Sequence, residues 1–450
     1  MFFIVASQAE KSKQGFIVMY RQKIHLMPSK FKIKNGLKQS FDMKKFLALI
    51  ITITFLISCQ KEELQEDAIE QVTPSSPDLM TRAVVPSIVD WQKCFGSTAD
   101  EFANAVAKGS NGYLVAGSLN TGDAYVAYYD RTSALVKTTV LGGSGSESIK
   151  GVVVTDDGGF WVVGTTTSIE TPGYGGEGYN ILISKFSATG DKEWVKSLGI
   201  ANQQSFSAIK TSDGGLAISG YMNSHLLFIK LKPDATLDWQ ATYLYPGSKA
   251  DVGYSLVETT DAFVVAGRTL DINNNADLLI VSINKTDKST TGRKFGNSGN
   301  SEIGFSIALN ASTSNFVVTG RKDNDLLAAK FDGQLNLIST LKMFGGTGVD
   351  IGRSVISTAD GYLIVGQTDS RNGDIINSKG GMDLWVLRLD INLNKTSMGS
   401  HNFGGNREDA GYAVISDGDG FTAAGHTKST SGDVSGNSGG SDMWLVKFNF

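Results

Sequence analysis

Seven positions in this chain could gather acids into a ring. Glu101, Glu147, Gln204, Asp251, Glu302, Asp350 and Asp409 occupy one shared place in an internal repeat. Carboxylates held close together repel one another and raise each other's pKa, so such a ring would draw a cation or a basic group. Two of the acids could also serve as the carboxylate pair of a polysaccharide-active enzyme. The structural use of the same residues is favoured: a carboxylate just before a strand accepts hydrogen bonds from the N–H groups of a glycine-rich turn. Three residues further on stand Asn104, Lys150, Ser207, Tyr254, Phe305, Arg353 and Tyr412. Positions that only build a repeat tend to stay alike, whereas this one varies in size and charge. Aromatics beside Lys and Arg suit a sugar or a peptide, which makes Lys150, Tyr254, Phe305, Arg353 and Tyr412 the ligand-face candidates. The bland alternative is packing between neighbouring repeats.

Other reactive residues are sparse, and no catalytic residue is assigned. The chain has two cysteines, Cys59 and Cys94. Cys94 is read as a small buried residue, and a nucleophilic role would need a histidine beside it. His225, His401 and His426 lack metal-ligand spacing, and there is no Gly-x-Ser-x-Gly elbow or phosphate loop. Two oxygen-rich loops, Ser370 to Asp383 and Ser429 to Asp442, resemble one another. Loops of this composition can hold Ca²⁺. The EF-hand spacing and its bidentate Glu are missing, so plain connectors are expected, with no cofactor required and Ca²⁺ the one left open.

These residues are carried by a repeat with a clear landmark, an apolar run ending in glycine. It appears at Gly112–Gly117, Gly159–Gly164, Gly215–Gly220, Ala262–Gly267, Asn315–Gly320, Gly361–Gly366 and Gly420–Gly425. Four or five β-prone residues closed by glycine read as a short strand between turns. The copies recur every 46–59 residues, close to the range of propellers and solenoids. A small-and-apolar strand precedes each landmark and a longer one follows, as at Leu384–Leu389. A fourth is marked by Trp and a second bulky residue, as at Trp91–Phe95 and Trp194–Leu198. Four short antiparallel strands per repeat make a propeller blade. The last repeat ends at Phe450 after its third strand, and Asp90–Phe95 has the pattern of the missing fourth. The expected fold is therefore all-β, a seven-bladed β-propeller with the N-terminal strand completing the last blade. Equivalent placement of Trp385 and Trp444, and of Trp91, Trp194 and Trp239, favours core packing for these rings.

The motifs Phe344-Gly-Gly346, Phe403-Gly-Gly405, Asp157-Gly-Gly159, Asp213-Gly-Gly215 and Gly381-Met-Asp-Leu-Trp385 resemble those of bacterial, Bacteroidota-type β-propeller repeat lipoproteins. The resemblance covers residues 86–450 and specifies a fold better than a function. Upstream, Met43–Ser58 has a basic start and a short apolar stretch, the form of a signal peptide. Its apolar run is too short to span a bilayer. Leu56-Ile-Ser-Cys59 resembles a lipobox, which implies that Cys59 is lipidated and anchors the chain to a membrane. Residues 1–42 are basic, show no domain pattern and are read as an upstream mis-annotated extension. Gln60-Lys-Glu-Glu63 resembles a surface-export signal, and residues 59–85 read as a flexible acidic tether. Lipidation of Cys59 leaves Cys94 without a partner, which excludes a disulfide framework.

Of the 41 basic and 45 acidic residues, residues 1–58 hold 10 and 2; the rest of the chain carries 31 and 43, net −12. That balance argues against nucleic acid as a partner. The expectation is an outer-membrane lipoprotein, exposed at the cell surface, that binds a glycan, a peptide or an envelope protein through one propeller face. The alternatives are a polysaccharide-active enzyme using the ring carboxylates and a non-catalytic scaffold subunit of an envelope complex.

Overall fold

The computed structural model describes residues 89–450 apart from 170, 174–177, 199–201, 297–298 and 339. The expected upstream extension, signal peptide, lipidated Cys59 and tether lie outside these residues. Among those described there are 28 strands and no helix.

Strand β1 (Val89–Phe95) precedes six sequential four-stranded blades. Blade 1 is β2 (Glu101–Lys108), β3 (Gly112–Leu119), β4 (Ala124–Asp130) and β5 (Leu135–Leu141). Blade 2 is β6 (Glu147–Val154), β7 (Phe160–Thr166), β8 (Asn180–Phe186) and β9 (Lys192–Leu198). Blade 3 is β10 (Gln203–Lys210), β11 (Leu216–Met222), β12 (His225–Leu231) and β13 (Leu237–Tyr243). Blade 4 is β14 (Ala250–Glu258), β15 (Ala262–Leu270), β16 (Ala276–Asn284) and β17 (Thr290–Phe295). Blade 5 is β18 (Glu302–Asn310), β19 (Asn315–Lys322), β20 (Asp325–Phe331) and β21 (Lys342–Phe344). Blade 6 is β22 (Asp350–Thr358), β23 (Gly361–Thr368), β24 (Asp383–Asp390) and β25 (Lys395–Phe403). Blade 7 is β26 (Asp409–Ser416), β27 (Phe421–Thr427) and β28 (Asp442–Phe448), with β1 as its outer strand.

The ring is a seven-bladed β-propeller closed by its own N-terminal strand. β1 pairs antiparallel with β28, setting Gln92 opposite Val446 and Phe95 opposite Met443. Trp444 donates its indole N–H to Gln92 Oε1 at 2.8 Å, so the seam is tied by side chains as well as by the ladder. Pairing the last strand also removes an exposed sheet edge, a site of aggregation in open sheets.

The landmark runs are the second strands, buried on both faces because a blade is sandwiched between two others. Each of the seven hydrophobic clusters spans one blade interface. Phe160 of blade 2, for example, packs against Leu114, Val126 and Tyr128 of blade 1. Trp385 and Trp444 are fully buried in two of these clusters. Full burial of one large apolar side chain stabilises by about 1.5–3 kcal/mol, so stability resides between blades. Turns follow from their residues: in Asp157-Gly-Gly159, Gly158 adopts φ +79°, which glycine permits without a Cβ clash, while Asp157 accepts the Gly159 N–H at 3.0 Å.

Candidate functional site: the axial channel

The innermost strands β2, β6, β10, β14, β18, β22 and β26 contact one another in sequence, and β26 contacts β2. They therefore surround the axis. Each carries one β-bulge at the same place. The register slips between Ala103 and Ala105, Ile149 and Gly151, Ser205 and Ser207, and Gly253 and Ser255. It slips again between Gly304 and Ser306, Gly352 and Ser354, and Gly411 and Ala413. A bulge leaves one residue out of the ladder and re-aims its side chain. The seven extra residues are Asn104, Lys150, Phe206, Tyr254, Phe305, Arg353 and Tyr412, all half-buried.

This register corrects two sequence assignments. In blade 3 the spoke is Phe206, not Ser207, and the acid-ring equivalent is Gln203, not Gln204. Ser205 pairs with Gly220 as Gly253 pairs with Gly267, which puts Gln203 where the other blades have their acid. A one-residue slip moves every side chain to the opposite face. Ser207 instead matches Ser255, Ser306 and Ser354. Those three hydroxyls accept N–H bonds from the next blade: Ile307 N to Ser255 Oγ at 3.3 Å, Val355 N to Ser306 Oγ at 3.1 Å and Val414 N to Ser354 Oγ at 3.2 Å.

Consecutive spokes touch. The Phe206 and Tyr254 rings lie 5.2 Å apart, and Tyr254 and Phe305 5.5 Å apart. The Arg353 guanidinium lies 4.9 Å from the Phe305 ring and 5.8 Å from the Tyr412 ring. On the small-residue side, Asn104 donates to Ile149 O at 3.0 Å. Four of the five ligand-face candidates, Tyr254, Phe305, Arg353 and Tyr412, thus form one contiguous cluster. Lys150, from blade 2, lines one cavity with Phe206, the first ring of this series, and burial first, then the Arg353 charge, pushes its pKa down.

A second tier was missed in the sequence. The residue after each landmark glycine is Ser118, Thr165, Tyr221, Arg268, Arg321, Gln367 or His426, and its variability was the available signal. Arg268 lies 6.0 Å from the Tyr254 ring. Arg321, after burial, helps to push Arg353 down. The Nε atoms of Arg268, Arg321 and Arg353 are buried without a hydrogen-bond partner among the described residues, and none of these arginines, nor Lys150, forms an ion pair there. His426 stacks on Tyr412 at 5.5 Å, and burial pushes its pKa down to about 4, which leaves it neutral at pH 7. Beside this cluster, Ser118, Ser148, Lys150, Thr165, Gln204 and Phe206 line a cavity of about 310 Å³.

The acids themselves serve the turns. Glu101, Glu147, Asp251, Glu302, Asp350 and Asp409 are at most 4% exposed. Glu101 accepts Ser97 N at 3.1 Å and Ser97 Oγ at 2.6 Å. Asp350 accepts Gly346 N at 2.9 Å and Ser370 Oγ at 2.8 Å; Asp409 repeats the pattern with Gly405 N at 2.8 Å and Ser429 Oγ at 2.7 Å. Thr166 Oγ1 donates to Glu147 at 2.7 Å, Ser248 Oγ donates to Asp251 at 2.9 Å, and Glu302 pairs with Lys322 at 2.7 Å. Most of these carboxylates are engaged at blade junctions rather than open at a channel mouth; Glu147, held by Thr166, also lines the cavity of about 310 Å³.

The remaining candidates also have structural partners. Asp374 and Asp433 of the twin loops pair with Lys395 and Lys379 and accept the N–H groups of Gly345 and Gly404, each at 3.1 Å. No group of three or more His, Cys, Asp or Glu side chains converges as metal ligands among the described residues. Cys94 is half-buried, and burial pushes its thiol up to about 12, with Asp442 and Asp409 adding to the shift. A thiol that resists ionisation is a poor nucleophile.

No protein-family model matches the chain, and no curated protein matches it. One solved structure of TM-score above 0.5 shares its fold, and others are similar to it. U3-55K is 10% identical with a TM-score of 0.51, over 79% of this chain and 98% of that one. An ulvan lyase of polysaccharide lyase family PL25 is 12% identical with a TM-score of 0.49, over 79% and 96%. A protein of unknown function from Bacteroides caccae is 9% identical with a TM-score of 0.39, over 69% and 98%. At these identities the likeness concerns the fold alone.

Proposed function

We propose that this chain is a lipid-anchored binding module of the outer membrane, exposed at the cell surface, whose site is the axial channel. Its ligand is a glycan, a peptide or a segment of an envelope protein. The observation that carries this reading is the bulge ring. Seven bulges at one register aim side chains of five types at the axis, and five of them, Phe206, Tyr254, Phe305, Arg353 and Tyr412, form a contiguous aromatic and cationic surface. Aromatic faces beside fixed polar groups in a concave setting are the usual make-up of a ligand site. The lipobox-like Leu56–Cys59 and the acidic tether support the anchored placement.

An enzymatic reading finds less support, because the ring carboxylates it would use are buried and hydrogen-bonded to turns. Screening the protein against glycan and peptide arrays tests the proposal. Any ligand found should lose affinity about tenfold or more with Tyr254→Ala or Tyr412→Ala, as expected for residues at the centre of an interface, and should be released unchanged. Retained affinity in both variants would remove the site from the channel. Labelling with a palmitate analogue, lost on Cys59→Ala, tests the anchor.

A further inference from the structure

The channel carries cations that the described residues leave without an acid partner. Lys150, Arg268, Arg321 and Arg353 come from four different blades, and none meets a carboxylate in an ion pair among the described residues. A carboxylate of this region, Glu408, is engaged with Lys428 at 2.7 Å. Buried charge is normally paired, so an unpaired cluster half-enclosed by protein is costly in the free state and calls for an anion. Planar guanidinium groups suit carboxylate and sulfate because two N–H groups can face two oxygens. Stacking on Phe305 and Tyr412 holds Arg353 in place.

The other half of the channel differs in chemistry. Around the cavity of about 310 Å³ stand the hydroxyls of Ser118, Ser148 and Thr165, the amide of Gln204, the Glu147 carboxylate, the Phe206 ring and Lys150. Hydroxyl, amide and carboxylate groups around an aromatic face match the hydroxyls and apolar face of a sugar. Pockets for small ligands span about 300–1,000 Å³, so the space suits one or a few sugar units.

We infer that the ligand is an acidic saccharide, its carboxylate or sulfate held among Arg268, Arg321, Arg353 and Lys150 and its sugar ring in the hydroxyl-lined cavity of blades 1–3. This rests on the channel-binding reading above and adds the charge and class of the ligand.

The test is calorimetric titration of the full chain, held in mild detergent, with four probes. They are an oligogalacturonate, its methyl ester of equal length, a sulfated oligosaccharide and an oligoglutamate. The expected result is binding of an acidic saccharide about tenfold or more tighter than the neutral ester, weakened by salt; the uronate and sulfate arms identify the anion. Arg353→Gln and Lys150→Gln should each lose most of that preference. Lys150→Gln should not lower the melting temperature of the free protein, because it relieves repulsion; Arg353→Gln also gives up its stacking on Phe305 and Tyr412, so its melting curve serves only to show that it folds. Should one variant fail to fold, the other variant and the salt dependence of the wild type still decide. Equal binding of the ester would overturn the inference and leave the binding reading standing. Preference for oligoglutamate would overturn it in favour of an acidic peptide. No binding of any acidic saccharide would overturn it too, and the neutral and peptide arrays would then decide whether the broader reading survives.

Discussion

A carboxylate before a glycine-rich turn has two readings, and burial separates them. Asp409 lies wholly inside, collecting a backbone N–H and two hydroxyls. Its neighbour Asp383 has one oxygen on Lys379 N at 2.8 Å, and Asn402 stands beside the carboxyl. Burial is the main cause that raises the Asp383 pKa to about 6, and the Asp409 charge adds to it. A carboxyl titrates at about 3.9 in the unfolded chain. The folded state thus binds the proton more tightly, and this site's contribution to stability is full below about pH 3.9 and lost as pH rises through about 6. Asp383→Asn, which keeps an acceptor for Lys379 N–H, should match the wild type at pH 4 and melt at a higher temperature at pH 7. Thermal unfolding across that range checks it, and a constant difference between the two proteins would refute the assignment. The sequence brought this constellation to light by repeat position, and its structural use was the reading it favoured. It could not show that the acids face blade junctions, because the direction of a side chain at a strand end depends on register. For the same reason Gln203 was passed over for Gln204 and Phe206 for Ser207.

The bulge connects the landmark glycines to the channel. Opposite each bulge the inner strand turns a carbonyl toward the second strand, and a Cβ on the facing glycine would meet it. Such an atom would lie 1.7 Å from Phe102 O at Gly117, 1.8 Å from Ile303 O at Gly320 and 1.8 Å from Ile351 O at Gly366. Glycine therefore ends every landmark because the bulge requires close backbone approach. Gly320→Ala should destabilise by about 1–3 kcal/mol, the usual cost of overpacking, read as a lower urea midpoint; an unchanged midpoint would mean the bulge is not fixed. The serine stitches between inner strands are weaker. Ser306→Ala leaves Val355 N without its side-chain acceptor and should cost about 1 kcal/mol, seen as faster amide exchange at Val355. The strand pattern and its glycine were plain in the sequence. The bulge was not, because an extra residue is defined by its pairing with the partner strand, which one strand's sequence does not display.

For the whole molecule, stability lies in contacts between blades, and the ring depends on its seam. β1 supplies Trp91, Cys94 and Phe95 to two of the clusters at blade 7 and holds the Trp444 indole through Gln92. Removing residues 86–95 should expose the β28 edge, broaden the melting transition and promote aggregation; an unaltered cooperative melt would contradict closure by this strand. Seven blades and the seam were legible because repetition and the unfinished last repeat are sequence properties. Ligand chemistry was only half legible. Lys150, Tyr254, Phe305, Arg353 and Tyr412 stood out as unlike residues at one position, whereas Arg268 and Arg321 reach the axis from the second strand, which repeat position alone does not reveal. The central claim is that the axis is the binding site. Amide hydrogen exchange with and without a ligand found by the arrays tests it most directly. The account predicts slowed exchange in the bulge segments of β14, β18, β22 and β26, with the outer strands β5, β9, β13 and β17 unchanged. Protection confined to those outer strands would place recognition on the rim of the propeller and contradict it.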